Sequence, residues 1–523
     1  AVEPTAERGP FLVHLLVSPQ SAADVPATRE RLRRDGVYGS VSLETWSEST
    51  LPYVDNLVSL LVVVDPMQVE PDELLRVVRP GGELLVRDGD HWRRTIKPRP
   101  AGMDEWSQWR HGADRNAVSA DRLVDVPQRV QWLFSSHLVL EGADMVTNNG
   151  RMFIQDRDQL LARDAFNGLP LWQVALYPHK KLGLEKPPAL MMARDDRVYA
   201  LLADGRFHAL DAATGKRMTE FAGAGLPQVS LLTDGGTLVM ADEEQITAFD
   251  SRTGELLWRE SANIPHTLTA GDGLIYYLEG NDKRGSGSGD VTARREKSGD
   301  LAWRKNYEWA RRSDLASFGM GHLVFEVRRP TGWRELWKDN PQREKEDKFQ
   351  LVVVDAKTGD EKKKLYGVAS SARHGEFCTA FWHQGKLLTE ARTPAGLGIA
   401  KYDPTDLAKP LDVFQANFAG DRGWGHCYPP VLTERFYING QMHFTDLEKQ
   451  RQSANPITRG ACHILRAGYV PANGMIYTFP KHCVCFPMLN GNACLAPASS
   501  NEPPETHPRE QGPAFGSTAT TRA

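Results

Sequence analysis

The chain has 523 residues, with 63 Lys and Arg nearly balanced by 67 Asp and Glu, a formal charge of −4 and 41% hydrophobic residues. That balance excludes the basic footprint of a general nucleic-acid binder, and the apolar share excludes wholesale disorder. A mean hydropathy of −0.45, with no apolar run of about 18 residues, excludes a helical membrane span.

The sequence begins Ala1-Val2-Glu3-Pro4, with neither an initiator Met nor the basic-then-apolar order of a signal peptide. A processed end is therefore expected, and with it a periplasmic or extracellular location with the signal peptide removed. Residues 11 to 88 alternate helix and strand. FLVHLLV and NLVSLLVVV are continuous apolar runs of the kind buried in a parallel sheet, and SVSLETW alternates as a strand. ADVPATRERLRRDGV is a charged amphipathic helix closing at Gly36, PDELLRVV is a short helix, and PGGELLVRD turns into a further strand. Residues 1 to 100 thus read as a small α/β domain, followed by a connecting segment over 101 to 123.

Leu51-Pro52-Tyr53-Val54-Asp55-Asn56 before one strand, and Leu75-Arg76-Val77-Val78-Arg79-Pro80-Gly81-Gly82 before the next, resemble the C-terminal half of a class I S-adenosylmethionine-dependent methyltransferase. The resemblance implies a truncated Rossmann-like fold. Such enzymes need a Gly-rich turn after their first strand, so that the backbone can approach the cofactor. Here Ser18-Pro19-Gln20-Ser21-Ala22-Ala23 follows instead. A degenerate domain without methyl transfer is expected, and S-adenosylmethionine is not an expected cofactor.

From residue 124 the texture changes to short apolar strands between Gly, Asp and Asn turns, which marks an all-β array. A turn repeats at Asp164-Ala165-Phe166-Asn167-Gly168, Asp211 to Gly215, Asp250 to Gly254 and Asp355 to Gly359, with weaker copies at Arg295, Asp403 and Asp446. The separations are 47, 39, 45, 60, 48 and 43 residues. A period near 45, with four strands per repeat, means propeller blades. Asp accepts hydrogen bonds within each turn, Gly takes its left-handed end, and a Trp on the next strand packs between neighbours. Seven marks are visible. An eighth blade is expected from Ile464 to Val470, Met475 to Phe479, Val484 to Pro487 and Ala493 to Ala498, completed by Val130 to Phe134 so that no sheet edge stays open. The fold class is therefore mainly β, an eight-bladed propeller over 124 to 498 with seven blades as the alternative.

These repeats resemble the tryptophan-docking repeats of quinoprotein alcohol dehydrogenases and of the related cofactor-free assembly propellers of bacterial envelopes. The chain as a whole is similar to a bacterial family of pyrroloquinoline-quinone-binding-like propeller proteins in which a methyltransferase-like segment precedes the blades. The matching stretches include Met103-Asp104-Glu105-Trp106 with His111 and Asn116, Arg163 to Gly168, Arg459-Gly460-Ala461-Cys462, Pro471 to Gly474 and Cys483-Val484-Cys485. The quinone dehydrogenases carry an adjacent Cys-Cys pair, and none occurs here, nor any C-x-x-C-H haem attachment. Pyrroloquinoline quinone is not expected.

Cys427, Cys462, Cys483 and Cys485 bring soft ligands from separate segments, beside His426, His463 and His482. Two disulfides are the expected state, with a tetrahedral zinc as the alternative. His111 with Asp104 and Asp114 forms an oxygen-rich group of the kind that holds calcium, although capping of a propeller face is the favoured role. Channel candidates are His374, Arg422, His426, Tyr428 and Arg459. An Arg to neutralise a uronate carboxylate, and a Tyr or His to remove the adjacent proton, would suit a polysaccharide lyase. The leading expectation is a propeller that binds a polymeric or protein partner, polysaccharide included, through its rim or channel. A carbohydrate-active enzyme is the alternative, followed by a methyltransferase or a quinone oxidoreductase. Residues 499 to 523 are rich in Pro, Ser and Thr and read as disordered.

Overall fold

The computed structural model describes residues 11–65, 69–134, 144–182, 190–242, 244–262, 267–279, 288–308, 316–328, 335, 338–339, 349–365, 380–394, 396–416, 430–458, 468–479, 489 and 491–500. The chain divides into two compact units, one of residues 1–11 with 99–497 and one of residues 12–98 with 498–523.

The smaller unit follows the expected order through β1 (Val13–Val17), α1 (Val25–Arg34), β2 (Val41–Thr45), β3 (Val58–Val63), α2 (Pro71–Val77) and β4 (Val78–Asp88), and adds a strand not expected from the sequence, β5 (His91–Ile96). α1 ends where Gly36 takes φ +71°, a conformation that L side chains resist. β1 pairs in parallel with β2, β3 pairs in parallel with β4, and β5 adds antiparallel to β4. One buried parallel sheet, the expectation from the apolar runs, is not what forms. The strands split into sheets of two and three, and Leu60 and Val62 are 52% and 45% exposed. Two short helices cannot cover both faces of both sheets. Asp55, from the methyltransferase-like motif, is held by Arg76 at 2.7 Å and by the hydroxyls of Ser499 and Ser500 at 2.6 and 3.0 Å. Ser499 and Ser500 are the only residues of the stretch expected to be disordered, 499 to 523, that are described; the remainder lies outside the described residues.

The larger unit is mainly β, with eight four-stranded antiparallel sheets among the described residues. Sheet 1 is Met145–Asn148, Arg151–Asp156, Gln159–Asp164 and Pro170–Ala175; sheet 2 is Met192–Arg194, Arg197–Leu201, Phe207–Asp211 and Arg217–Glu220; sheet 3 is Val229–Leu232, Thr237–Ala241, Gln245–Asp250 and Leu256–Ser261. Sheet 4 is Leu268–Gly271, Leu274–Glu279, Ser288–Arg295 and Leu301–Glu308; sheet 5 is Ser317–Gly319, His322–Arg328, Phe349–Asp355 and Glu361–Leu365; sheet 6 is Ala380–His383, Lys386–Thr393, Gly396–Tyr402 and Asp412–Gln415. Sheet 7 is Val431–Leu432, Phe436–Ile438, Phe444–Asp446 and Gln452–Ser453. Sheet 8 takes Tyr469–Ala472, Met475–Thr478 and Asn492–Ala496 from the C-terminal part and Arg129–Phe134 from the start of the array, with Asn492 opposite Phe134. The expected strand at Val484 to Pro487 lies outside the described residues.

Local chemistry explains the repeat. First and second strands are joined by two-residue turns in which both residues take positive φ, as at Asn149-Gly150, Asp272-Gly273, Gln384-Gly385 and Asn473-Gly474. Such turns match the twist of the strands they join. Between third and fourth strands the repeated Asp accepts two backbone N–H groups, for example Asp250 Oδ1 from Arg252 and Thr253 at 3.0 and 2.8 Å. The Trp on one sheet's last strand then lies on the turn Gly of the next. Trp132 meets Gly168, Trp172 meets Gly215, Trp258 meets Gly299 and Trp303 meets Gly359, where an added Cβ would stand 2.6 to 2.9 Å from the indole. Each indole N–H donates to the carbonyl three residues before that glycine: Ala165, Ala212, Glu296 and Ala356, at 2.8 to 3.1 Å. Between sheets 2 and 3, Thr219 replaces the Trp and donates to Arg252 O at 3.1 Å. The core is correspondingly divided, since each apolar cluster lies between facing sheets, such as Phe153 and Leu160 of sheet 1 against Ala193 and Val198 of sheet 2.

Candidate functional site

Residues 104 to 121 form no regular helix or strand, yet they bond in turn to the first strand, or the turn after it, of every sheet. Asp104 O accepts from Asn473 N of sheet 8 at 3.0 Å, Trp106 O from Thr147 N of sheet 1 at 2.8 Å, and Ser107 O from Ala193 N of sheet 2 at 2.8 Å. Gln108 clasps Leu232 of sheet 3, its Nε2 donating to the carbonyl at 2.8 Å and its Oε1 accepting the N–H at 3.1 Å. Ala113 O accepts from Ala270 N of sheet 4, and Asp114 O from Phe318 N of sheet 5, at 2.8 and 2.9 Å. Asn116 clasps Trp382 of sheet 6 through both backbone groups at 2.7 Å. Leu432 of sheet 7 donates to Ala117 O and accepts from Ser119 N at 3.0 and 2.9 Å. Asp121 Oδ2 completes the circuit by accepting Gly474 N of sheet 8 at 2.8 Å.

The first strand of a sheet presents an open row of backbone donors and acceptors, and an unmet buried group costs about 1–3 kcal/mol. This segment supplies those partners near the C-terminal end of each first strand. Turning through the circuit requires sharp changes of direction, which Arg110, His111, Arg115 and Ala117 provide at φ +58°, +80°, +53° and +46°. Left-handed backbone at a non-glycine residue costs roughly 1–3 kcal/mol, and the hydrogen bonds offset it. Arg115, only 1% exposed, ties the segment to two sheets at once, donating to Ser230 O at 2.7 Å and Leu268 O at 3.0 Å. Glu105 links sheets 1 and 8, accepting from Gly150 N at 3.0 Å and Asn473 Nδ2 at 3.1 Å.

The electrostatics are those of a packed joint. His111 Nε2 lies 2.7 Å from Asp104 Oδ2. Burial pushes Asp104 up, but bonds from His111 and from the N–H groups of Glu105 and Ala120 outweigh it and hold the carboxyl down to about 2. Burial works against the His111 cation too, and the bond to Asp104 overcomes it, so its pKa is raised. Burial raises the carboxyls of Glu105, Asp114 and Asp121. It lowers Arg110 to about 10, whose Nη1 is buried without a hydrogen-bond partner. Among the described residues no group of three or more His, Cys, Asp or Glu side chains is placed to hold a metal ion. The Asp104-Glu105-Trp106 stretch is hydrogen-bonded to the first strands or following turns of sheets 8 and 1.

The channel candidates His374, Arg422, His426, Tyr428 and Arg459, and the cysteines Cys427, Cys462, Cys483 and Cys485, all lie outside the described residues. In the sequence, His374 precedes the first strand of sheet 6, the trio Arg422, His426 and Tyr428 precedes that of sheet 7, and Arg459 and Cys462 precede that of sheet 8. Those strands begin at the end of the sheets away from residues 104 to 121. Cys494, within the described residues, is a buried free thiol. Sequence reasoning missed Gln108, Arg115, Ser119 and Asp121 as a working set. The only sequence signal was a run of polar and aromatic residues with neither helical nor strand period.

A family model described as "Outer membrane protein assembly factor BamB" matches residues 88–225 and 220–332. Together with the eight four-stranded sheets among the described residues, that match supports a mainly β fold of the PQQ-like propeller kind. No curated protein matches it. Among solved structures it is similar to a europium-containing methanol dehydrogenase, at 12% identity over 67% of this chain and 85% of that one, with a TM-score of 0.45. It is also similar to the quinohemoprotein alcohol dehydrogenase of Comamonas testosteroni, at 13% identity over 79% and 83%, TM-score 0.46, and to BamB of Moraxella catarrhalis, at 12% over 68% and 83%, TM-score 0.37. The methyltransferase resemblance of residues 11 to 88 draws no support from these comparisons. No described helix is long and apolar enough to cross a membrane.

Proposed function

We propose that the protein is a closed eight-bladed propeller that serves as a protein-docking scaffold in envelope assembly, with residues 12 to 98 as an accessory domain. The observation that carries the reading is the circuit of residues 104 to 121, whose own backbone and side chains take up the first-strand groups of every sheet at one end. A partner is then left with the rim and the opposite end, where His374, Arg422, His426, Tyr428 and Arg459 are proposed to contribute contacts. The family model over residues 88–332, whose description names an assembly factor, favours a protein partner over a small substrate.

Site-specific photocrosslinking in intact cells tests this. Probes at Asp204 and Glu244, exposed between second and third strands, sample the end away from the circuit; probes at Ala213 and Arg252, exposed between third and fourth strands, sample the circuit end. One and the same protein adduct from the first pair, absent from the second, is expected. Adducts from neither pair, together with release of unsaturated uronate products by the purified protein, would replace this reading with the lyase.

A further inference from the structure

Outer strands of propeller sheets are open edges, and proteins blunt such edges with charge, proline or brevity. Among the described outer strands of four residues or more, Arg129–Phe134 carries Arg129, Arg217–Glu220 carries Arg217 and Glu220, Leu256–Ser261 carries Arg259 and Glu260, and Leu301–Glu308 carries Arg304 and Lys305. Glu361–Leu365 carries Glu361 and three lysines, and Asp412–Gln415 carries Asp412. Pro170–Ala175 of sheet 1, with the sequence PLWQVA, carries no charge, and its proline stands at the first position only.

The ladder shows which groups this edge offers. Leu176 N donates to Asp158 O at 2.8 Å, and the register continues with Val174 opposite Leu160 and Trp172 opposite Ala162. Alternation of bonded pairs then directs the N–H and C=O of Gln173 away from the sheet. Leu171, Gln173 and Ala175 are exposed, whereas Trp172 and Val174 pack against the cluster between sheets 1 and 2. Beside the strand lies a cavity of about 220 Å³, lined by Leu161, Arg163, Pro170, Leu171, Trp172 and Gln173, which leaves room for incoming side chains.

We propose that this edge pairs with the same edge of a second copy, antiparallel about Gln173, to make a two-fold dimer. Identical strands bring identical charges together, so neutrality is the property that self-pairing demands. Two glutamine amides facing one another are mutually complementary, each offering donors and an acceptor. In this register Leu171 of one copy, at an irregularity in its own ladder, lies opposite Ala175 of the other, large against small; because Ala175 O already accepts Ala203 N at 3.1 Å, the pairing rests on the N–H and C=O of Gln173.

The test uses the full chain and does not depend on any docking partner, so its failure leaves the scaffold reading standing. Light scattering behind size exclusion, over a range of concentrations, should show a dimer. Gln173→Cys should then give a disulfide-linked dimer under mild oxidation, while Arg259→Cys on another outer strand should not. Gln173→Pro removes only an outward N–H, and Gln173→Lys adds facing like charges at an exposed position. Either should abolish the dimer with the denaturation midpoint unchanged. A monomer at all concentrations, or a dimer indifferent to both the proline and the lysine, overturns the proposal.

Discussion

Replacing Asn116 by alanine removes two buried hydrogen bonds of 2.7 Å and leaves both the N–H and the C=O of Trp382 without partners. A net hydrogen bond contributes about 1 kcal/mol and an orphaned buried group costs about 1–3 kcal/mol, so the variant should lose about 2–5 kcal/mol. Asn116→Asp is the sharper probe, because it keeps the shape and the acceptor for Trp382 N but sets a carboxylate oxygen against Trp382 O. Its loss should be at least as large near neutral pH and should shrink in acid, where the protonated carboxyl donates again. The amide of Trp382, followed by hydrogen exchange and mass spectrometry beside denaturant midpoints, reads the effect where it arises. In the alanine variant its protection should fall with the midpoint. If Asn116→Ala stays within about 0.5 kcal/mol of the parent, the range of an inconsequential surface change, and Trp382 remains protected, then residues 104 to 121 do not hold sheet 6.

Gly299→Ala should destabilise by about 3 kcal/mol, since the residue sits at φ +74° and its new Cβ would stand 2.6 Å from the Trp258 ring; thermal unfolding of the purified variant checks this, and a neutral result would mean that the indole seat is loose. The His111–Asp104 pair should stabilise most between about pH 4 and pH 6.5. Asp104 is held low, so its contribution is lost as pH falls toward about 2; His111 is held high, so its contribution is lost as pH rises through its raised value. The difference in unfolding midpoint between parent and Asp104→Asn, plotted against pH, should show both limbs, and a flat difference would deny the pair any role. Cys494, buried with its thiol pushed up by desolvation, should resist iodoacetamide in the native protein and react after denaturation, as peptide mapping would show; native labelling would place it at the surface.

Much of the propeller was legible because its repeat is local. The Asp at 164, 211, 250 and 355 bonds to backbone two and three residues away, and a contact of that range leaves its mark in any short window. The indole contacts were legible in kind, as a Trp packing between neighbours, but not in target, since the carbonyl that accepts Trp303 Nε1 lies 53 residues away. Thr219, standing where a Trp was the rule, shows that the seam can be held by a hydroxyl instead.

The same reasoning failed in the N-terminal unit for a physical cause. Continuous apolar runs specify strands, but whether both faces are covered depends on how many helices pack there, and Leu60 and Val62 remain exposed. By itself, the amino-acid order determined a mainly β chain of repeated four-stranded units, because turn hydrogen bonds and strand alternation act over a few residues. Only the tertiary structure decided what residues 104 to 121 do, because their bonds span 115 residues from Arg115 to Ser230 and 266 from Asn116 to Trp382. No periodicity can record partners that meet only after the sheets have assembled around them.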